Sequence, residues 1–447
     1  MSKLLSISPL TGRYRDKIQE LEEFTSEYAL IKTRIEVEIK YLISLSKIRV
    51  VRKISKKEAD KLDSIYENFD LEEAEKIKEI EETTKHDVKA VEIYLGKIFR
   101  NSSLKDLAES IHFGLTSEDI NNIAFRIMLR SASKEVIIPT IERLSKVLSQ
   151  HSQVYKYVPM LARTHGQPAV PTTLGKEIAV FASRLNIELK KLKEIKLTGK
   201  LNGAVGNYNA LFLAFPKVDW LKFSKSFISG LDLEPNLLTT QINAFEDIIE
   251  YFQTIQRING VLLDLNQDFW RYISDGWLVQ SSEKGQVGSS TMPQKINPID
   301  FENSEGNLEL ANGIIEVFTR KLPISRLQRD LSNSTIIRNI GTVLGYSLLA
   351  YKSAFTGVLK VKANEEKILE ELNSDWSILA EALQTILRTE KVKGSYFKVL
   401  EETKGKKMDK DDWKNLILKL PFSKNSKQKL LKLTPKKYIG LASKLTY

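Results

Sequence analysis

Apolar residues recur at helical spacing over long stretches of the chain. The clearest seam alternates steps of four and three residues, which is typical of a helix in a bundle or coiled coil. Its members are Tyr251, Ile255, Ile258, Leu262, Leu265, Phe269 and Tyr272. A second stripe, typical of a long amphipathic helix, consists of Leu174, Ile178, Phe181, Leu185, Leu189 and Leu192. The sequence therefore predicts two long helices.

The segment 31–42 fits two patterns, because its apolar residues alternate as in a strand and also recur every four residues as in a helix. It lies in a stretch without proline that runs from Pro9 to Pro139. An interior proline costs a helix about 3 kcal/mol, so proline-free stretches suit helices. We therefore predict a helix for 31–42 and a mainly α fold built on a bundle of long helices.

Glycine and proline concentrate in four short regions, 164–175, 199–206, 285–298 and 312–323. These regions are predicted to be loops between long helices, and loops on a rigid scaffold are where binding groups collect. The sequence contains neither a GxGxxG motif nor a Walker-type phosphate loop. A nucleotide ligand would therefore be held in another way.

The composition is that of a folded protein, with 42% apolar and 28% charged residues in 447. No apolar run approaches the roughly 20 residues that span a bilayer, and the N-terminus lacks the features of a secretory signal. We therefore expect a cytoplasmic protein with no membrane partner. Cysteine is absent, which excludes disulfides, thiolate nucleophiles and cysteine-bound zinc.

The net charge of +11 admits two interpretations. A basic chain can bind nucleic acid or small polyanions, so a basic helical scaffold is the alternative class of function. Much of the excess, however, lies in lysine runs toward the C-terminus, at 404–407 and 424–437. Such runs are usually solvated faces, and no RNA-binding signature accompanies them. We therefore expect no nucleic-acid partner.

Four histidines are available for proton transfer, His86, His112, His151 and His165. No two of them have the short spacing that places two zinc ligands on one helix face, so no metal site is predicted. His165 has the best surroundings, because Gly166 and Pro168 imply a fixed, non-helical backbone beside it. His151 lies in a polar helical stretch and is interpreted as a surface residue.

The residues after His112 predict a helix N-terminus. Thr116 or Ser117 can act as the cap, with Glu118 or Asp119 in the first turn. Helix N-termini also bind anions. The segment is therefore a candidate for both a structural cap and a ligand contact.

The segment 285–298, GQVGSSTMPQKINP, is the strongest candidate for chemistry. A flexible surface loop does not require Lys295 and Asn297 between two prolines. Glycine-spaced amides, serine hydroxyls, a cation and an amide together suit a carboxylate or a developing oxyanion. Glu302 follows as a carboxylate that can orient a histidine.

Within this segment, GSSTMPQKINP resembles the signature of the aspartase/fumarase superfamily, whose members release fumarate by β-elimination. Other segments, in order along the chain, resemble the bacterial kind of the adenylosuccinate lyase family. They are ISPLTGRYRDK, TTKHDVKAVE, TSEDINN, RTHGQPAVPTTLGKE, GAVGNYNA, NPIDFENSEGN and SRLQRDLSNSTIIRN. The resemblance extends over nearly the whole chain, and many short matches in the right order are far more specific than one motif.

The resemblance implies a three-domain aspartase/fumarase-like fold, with helical domains at 1–115 and 363–447 and a central long-helix bundle at 116–362. It also implies a homotetramer whose active sites are shared between subunits. The partner subunits would then help to bury the seam at 251–272, which one chain alone is not expected to cover.

The implied substrates are adenylosuccinate, giving AMP and fumarate, and the succinyl-aminoimidazole-carboxamide ribotide of purine biosynthesis, with no cofactor. A proton leaves the carbon beside a carboxylate and the C–N bond breaks, so fixed donors are needed where charge gathers. The resemblance makes Ser289 the base, Lys295 a holder of that carboxylate, and His165 the acid, a role that histidine commonly has in proton transfer. Glu302 would orient His165, and His86 would assist.

The implied substrate contacts divide between the succinyl carboxylates, the phosphate and the ribose. They are Arg13, Tyr14, Lys85, Asp87, Thr116, Ser117, Gln241, Asn297, Arg329, Ser334 and Arg338. Arginine suits phosphate because its planar fork donates two parallel hydrogen bonds.

Two departures from the family pattern concern the substrate. Adenylosuccinate lyases commonly carry histidine where this chain has Gln294, and argininosuccinate lyases commonly carry glutamine there. The segment 241–247, QINAFED, also lacks a proline and a histidine that relatives often have. The other motifs are unlike those of argininosuccinate lyase, so the purine substrates are predicted and argininosuccinate is the alternative.

Overall fold

Helices make up most of the chain, which a computed structural model describes at residues 3–281, 292 and 294–446. The helices of the first half are α1 (Arg15–Ile18), α2 (Glu22–Thr25), α3 (Glu27–Lys47), α4 (Lys56–Glu67), α5 (Leu71–Thr84), α6 (Asp87–Arg100), α7 (Ser117–Ala132), α8 (Ile138–Val154), α9 (Leu174–Glu194), α10 (Asn209–Ala214) and α11 (Trp220–Ser229). Those of the second half are α12 (Glu246–Ser274), α13 (Ile299–Lys321), α14 (Ser332–Ile337), α15 (Ile340–Lys360), α16 (Glu365–Leu372), α17 (Ala380–Thr389), α18 (Ser395–Thr403), α19 (Lys410–Lys419), α20 (Lys424–Leu431) and α21 (Ala442–Leu445). The prediction of a mainly α fold is confirmed.

Short strand pairs complete the architecture. Antiparallel pairs are formed by β1 (Pro159–Thr164) with β2 (Gln167–Thr173) and by β5 (Leu278–Gln280) with β6 (Val361–Ala363). A parallel pair is formed by β3 (Thr198–Gly199) with β4 (Glu234–Pro235). Short 3-10 turns occur at Lys3–Leu5, Gln19–Leu21, Lys105–Ser110, Trp376–Leu379 and Pro435–Lys437, and a π-helical turn at Ser133–Ile137 joins α7 to α8.

The chain divides into two compact units, each made of three stretches. The first comprises Met1–Thr140, Glu188–Asn259 and Gly306–Ala350. The second comprises Ile141–Ile187, Gly260–Glu305 and Tyr351–Tyr447. The long helices α9, α12 and α13 each contribute to both units. The division into domains at residues 115 and 362 stays a prediction.

The first unit has a hydrophobic core formed by α3, α5 and α6, which includes Ile35, Ile39, Ile77, Val91 and Phe99. Ser26 caps α3, since its hydroxyl accepts a hydrogen bond from the Ala29 N–H at 3.1 Å. The ambiguous segment 31–42 is helical, as predicted. Its strand-like alternation arises because α3 is buried on more than one face.

The seam predicted on α12 is real and is buried within one chain. Every one of its seven members, from Tyr251 to Tyr272, is at most 7% exposed. The expectation that partner subunits are needed to cover this seam is therefore wrong. The stripe on α9, from Leu174 to Leu192, is buried in the same way.

The prediction of a loop at 312–323 is also wrong, because α13 continues to Lys321. Buried residues at helical spacing, including Leu308, Ile315 and Phe318, hold the helix in place. A Cβ on Gly313 would meet no atom within 4 Å. This glycine therefore marks neither a turn nor a close approach, and apolar periodicity outweighs its modest helix penalty.

Polar side chains pair inside the bundle between α12 and α13. In the first unit, Asn259 Nδ2 donates to Asn312 Oδ1 at 2.9 Å. In the second unit, Asn266 Nδ2 donates to Ser304 Oγ, also at 2.9 Å. Asn259, Asn266 and Ser304 have no exposed surface. Buried polar pairs of this kind select one helix register, because a slip would leave each amide without its partner.

None of the described helices has the length and the apolar composition that a membrane-spanning segment requires.

The start of α9 leaves no room for a side chain at Gly175. A Cβ there would lie 2.4 Å from the Ser152 carbonyl oxygen and 2.5 Å from the Lys156 Cα. Because these are backbone atoms that cannot rotate away, Gly175→Ala should lower the free energy of unfolding by about 1–3 kcal/mol. Denaturant unfolding followed by circular dichroism measures the change.

Gly96→Ala is the matched control, since a Cβ there would make only ordinary contacts with the Arg100 side chain, at 3.5 Å or more. Alanine in a helix interior should leave stability unchanged or raise it by up to about 1 kcal/mol. Equal stability of both variants would show that the backbone at the start of α9 can shift to accommodate a methyl group.

Candidate active site

A cavity of about 470 Å³ lies in the first unit, where the start of α6, the start of α7 and the segment 329–338 meet. Seven of the predicted site residues line it. They are Lys85, His86, Asp87, Ser117, Arg329, Ser334 and Arg338. Residues that are up to 253 positions apart in sequence therefore converge at one place, which the motif order alone does not reveal.

His86 reaches the cavity from a helix cap. Lys85 ends α5 in a left-handed conformation with a φ of 54°, and His86 is the N-cap of α6. The His86 Nδ1 accepts a hydrogen bond from the Lys89 N–H at 3.2 Å. An accepting Nδ1 puts the proton of a neutral ring on Nε2. That Nε2 lies 3.4 Å from Ser117 Oγ, so the free edge of the ring faces α7.

Asp87 holds two arginines with one oxygen. Its Oδ2 accepts from Arg34 Nη2 at 2.6 Å and from Arg338 Nη2 at 2.7 Å. Burial opposes ionisation of this carboxyl, but attraction first to Arg34 and then to Arg338 lowers its pKa to about 2. Asp87 is therefore charged at neutral pH and committed to protein partners.

Arg34 is a site residue that the sequence analysis missed. It is 1% exposed, lines the cavity and donates from Nε to Asn121 Oδ1 at 2.9 Å. Burial lowers the pKa of Arg34, an effect that Asp87 opposes. The one signal in the sequence is a basic residue between Ile31 and Ile35 on an apolar helix.

Glu118 is a second missed residue. Its carboxyl is buried, lines the cavity and lies 3.5 Å from Arg329 Nη2. Burial raises the pKa of Glu118, although Arg329 opposes the shift. Arg329 also donates to Gln241 Oε1 at 3.3 Å and to Ser334 Oγ at 3.4 Å. Three groups thus hold the guanidinium at the cavity.

The start of α7 is fixed by Asp119, which has no exposed surface. Its carboxylate accepts from the N–H groups of Thr116 at 2.9 Å, Asn202 at 3.0 Å and Gly203 at 3.1 Å. The Lys200 Nζ lies 3.0 Å from Asp119 Oδ1. Of the two caps that the sequence allowed, Thr116 is the N-cap. The carboxylate therefore ties the helix start to the loop at 200–203.

Arg13 and Tyr14 lie in the first unit but outside the lining of this cavity. The Arg13 guanidinium lies 5.8 Å from the centre of the Tyr14 ring. Tyr14 is the N-cap residue of α1. The structure of one chain therefore does not bring these two predicted contacts together with His86 and Arg329.

In the second unit, His165 stands at the tip of the hairpin between β1 and β2. Both central residues of this two-residue turn have positive φ, 52° for His165 and 72° for Gly166. This is the backbone of a tight hairpin turn, which glycine accepts without strain. The predicted non-helical backbone at His165 is confirmed, and the imidazole is exposed.

Glu302 lies in the first turn of α13, where its Oε1 accepts from Trp270 Nε1 at 3.1 Å. Lys295 is exposed, and its backbone N–H donates to the Met292 carbonyl at 3.1 Å. Asn297 is half-buried. Ser289, the predicted base, lies outside the described residues. The Trp270 contact is one that the sequence did not predict.

Of the two remaining histidines, His151 differs from expectation. His151 is half-buried, its Nδ1 has no hydrogen-bond partner among the described residues, and burial lowers its pKa. The interpretation of His151 as a surface residue is therefore wrong. His112 Nδ1 lies 2.5 Å from Glu38 Oε1. Burial lowers the pKa of His112, but the Glu38 carboxylate outweighs it, and the net shift is upward.

Comparison with known proteins gives concordant matches along the chain. Residues 12–313 match the family described as Lyase, and residues 325–439 match the family described as Adenylosuccinate lyase C-terminal. Adenylosuccinate lyase of Haemophilus influenzae is 45% identical over 100% of this chain and 98% of its own. That of Escherichia coli is 43% identical over 99% of this chain and 98% of its own.

The chain belongs to the adenylosuccinate lyase family. Solved structures with much lower sequence identity have a similar fold. A fumarate lyase from Mesorhizobium sp. BNC1 gives a TM-score of 0.77 at 18% identity and covers 96% of both chains. A β-carboxy-cis,cis-muconate cycloisomerase from Acinetobacter calcoaceticus gives 0.74 at 17% identity, covering 97% of this chain and 98% of that one. The predicted aspartase/fumarase-like fold is confirmed.

The capping role of His86 at the start of α6 in this adenylosuccinate lyase family member can be tested by measuring the stability of variants. His86→Ala removes the acceptor for the Lys89 N–H and should lower the free energy of unfolding by about 1 kcal/mol. His86→Asn supplies a side-chain oxygen as cap and should keep stability close to that of the parent. Chemical denaturation of both variants measures the difference.

Asp70→Ala measures how much an ordinary N-cap in the same unit contributes to the free energy of unfolding. Asp70 accepts a hydrogen bond from the Glu73 N–H at 3.0 Å at the start of α5. If His86→Ala were as stable as the parent while Asp70→Ala lost stability, His86 would have no capping role.

Proposed function

We propose that this chain is a lyase that eliminates fumarate from adenylosuccinate, giving AMP, and from succinyl-aminoimidazole-carboxamide ribotide. The observation that supports it most is the convergence of Lys85, Arg329 and Arg338 on one cavity at the N-terminus of α7. Cations and a helix N-terminus suit a ligand with a phosphate and two carboxylates.

Within that cavity, Arg338, Lys85 and Ser334 are proposed to bind the phosphate and ribose, together with Arg329. Arginine forks grip phosphate by two hydrogen bonds, while lysine adds a point charge. Thr116 and Ser117 are proposed to bind a succinyl carboxylate, because the partial positive charge of a helix N-terminus attracts anions. Gln241 is proposed to act beside them.

The other proposed contacts come from residues that one cavity does not gather. Arg13 and Tyr14 are proposed to reach the phosphate and ribose of a site completed by another subunit. Asp87 is proposed to line the pocket, with its charge directed to arginine. Asn297 is proposed to hold the carboxylate that gains charge, beside Lys295.

The proposed chemistry is a proton-coupled elimination. Ser289 removes the proton from the carbon next to a succinyl carboxylate, and the extra charge on that carboxylate is stabilised by Lys295 and Asn297. The C–N bond then breaks, and His165 delivers a proton to the departing nitrogen. Electrons from the C–H bond form the double bond of fumarate, so no oxidant, metal or cofactor is required.

Two further residues are proposed to assist the elimination. Glu302 orients His165 across a subunit boundary, where it supplies an acceptor for the imidazole N–H. His86 presents Nε2 beside Ser117 and assists the proton transfer. Both roles place a hydrogen-bond partner next to the acid, which helps it to keep the correct orientation.

The assembly proposed is a cytoplasmic homotetramer with shared active sites. Apolar side chains one heptad apart are exposed on the long helices. They are Val180 and Ile187 on α9, at 40% and 53%, and Leu310 and Val317 on α13, at 53% and 37%. Exposed heptad pairs suit docking against helices of other subunits. His165, Lys295 and Glu302 belong to the second unit, and neighbouring subunits are proposed to supply them.

Purified protein should convert adenylosuccinate to AMP and fumarate in the presence of EDTA, because every proposed step uses a side chain of this chain. A spectrophotometric assay of adenylosuccinate and of the succinylated carboxamide ribotide measures both activities. Turnover of argininosuccinate without either purine would instead favour the alternative that Gln294 suggests. Gln294→His should leave the purine activities in place.

Subunit mixing tests the shared site. Ser289→Ala and His165→Asn should each fold and assemble yet lose at least about a hundredfold in kcat, since each removes a proton-transfer group. Co-refolding the two in equal amounts should restore about a quarter of parental activity, because random assembly returns both native residues to that share of sites.

The control is each variant refolded alone, which should stay inactive. Mixed tetramers with no more activity than the separate variants would show that Ser289 and His165 act from the same subunit or that one of them has no catalytic role.

A further inference from the structure

Arg34 has no task in the proposed mechanism, although it lies beside the cavity with 1% of its surface exposed. Its guanidinium faces the carboxylate of Asp87 and the amide oxygen of Asn121, at 2.6 and 2.9 Å. It therefore joins α3 to the starts of α6 and α7, the two helices whose N-termini meet at the cavity.

The important contact is indirect. The oxygen that accepts from Arg34, Asp87 Oδ2, also accepts from Arg338 Nη2 at 2.7 Å. Arg338 is 41% exposed, lines the cavity and has its Nη1 3.1 Å from Glu27 Oε2. Two carboxylates thus aim the Arg338 fork, and one of them is fixed from behind by Arg34.

Asp87 needs the positive charge of Arg34 to stay ionised. The side chain of Asp87 is only 21% exposed, and burial favours its neutral form. Arg34 is the larger of the two cationic influences that keep the pKa of Asp87 low, ahead of Arg338. Without Arg34, the Asp87 carboxyl would take up a proton more readily, and a neutral carboxyl binds a guanidinium much more weakly.

An arginine with only a structural role is expected to have a hydrogen-bond acceptor for each of its N–H groups. Arg34 Nη1 is enclosed and has no hydrogen-bond partner among the described residues. A buried cation with an unmatched donor is unfavourable for stability compared with an apolar side chain of similar size. The arrangement is therefore better explained by what it does to Asp87 and Arg338 than by the stability of α3.

We infer that Arg34 is a positioning residue for substrate binding, which fixes the shared Asp87 carboxylate and so holds the Arg338 guanidinium toward the phosphate of the ligand. This inference rests on the proposed function, because it takes AMP and adenylosuccinate as the ligands of Arg338. It assigns Asp87 to the orientation of arginine and leaves the substrate contact to Arg338.

The test compares Arg34→Gln with Arg34→Lys and Asp87→Asn. KM and kcat for adenylosuccinate are measured from about pH 5.5 to pH 8.5, and AMP affinity is measured by calorimetry. Arg34→Gln should raise KM and the Kd for AMP about tenfold, with a smaller change in kcat, because loss of one oriented ionic contact weakens binding by that order. Arg34→Lys keeps the charge beside Asp87 and should lie between Arg34→Gln and the parent.

The pH profile separates positioning from a structural defect. The charged or titratable groups that face Asp87 are Arg34 from α3, Arg338 after α14, and His86, whose Nδ1 is 3.9 Å from Oδ1. Glu27 lies behind Arg338. In Arg34→Gln the KM defect should grow as the pH falls and Asp87 gains a proton. At low pH it should approach the KM of Asp87→Asn, whose own defect should not depend on Asp87 titration.

Arg52→Gln is the control for loss of a multiply paired arginine in the same unit. Arg52 binds Glu58 and Asp106 and does not line the cavity, so its KM should match that of the parent at every pH. An Arg34→Gln enzyme with parental KM and AMP affinity throughout would overturn the inference. So would an Asp87→Asn enzyme with parental KM and AMP affinity, because the effect of Arg34 is proposed to pass through Asp87.

If Arg34→Gln does not fold, the inference is tested with Arg34→Lys and Asp87→Asn alone. Parental KM and AMP affinity in both would overturn the inference, and weaker AMP binding in both, larger for Asp87→Asn, would support it. Failure of the unaltered protein to bind AMP or to turn over adenylosuccinate would instead count against the proposed function itself.

Discussion

One fully buried carboxylate determines where the site can form. Asp119 lies without solvent contact beside Lys200 and three backbone N–H groups, from Thr116 and from the loop at 202–203. A carboxylate is tolerated in such surroundings only when donors replace its lost hydration. The donors come from stretches more than eighty residues apart. Ser117 and Glu118 project into the cavity because the preceding and following backbone is fixed in this way.

Contacts within the protein fix the orientation of the arginine side chains at the cavity. Arg338 is held by Asp87 and Glu27, and Arg329 is held by Glu118, Gln241 and Ser334. Fixed side chains lose less rotational freedom on binding, so more of the electrostatic attraction remains as affinity. The carboxylates also offset the positive charge of the arginines, which lets these side chains stay partly buried without strong mutual repulsion.

Features with a local cause could be predicted from the sequence, and features with a distant cause could not. The seam of α12, the cap at Thr116 and the tight turn at His165 each depend on neighbours within one element. The glycine in α13 is misleading because the buried residues at helical spacing around it outweigh its modest helix penalty. Arg34 and Glu118 were missed because their partners lie 53 and 211 positions away.

The two faces of His86 restrict how this position can change over generations. One ring nitrogen closes the start of α6, and the other borders the cavity beside Ser117. Asparagine, aspartate, serine or threonine would preserve the helix, yet each removes the ring edge at the cavity. A variant with one of these four residues would therefore keep the helix start while losing the imidazole edge beside Ser117, so histidine is the residue that meets both requirements.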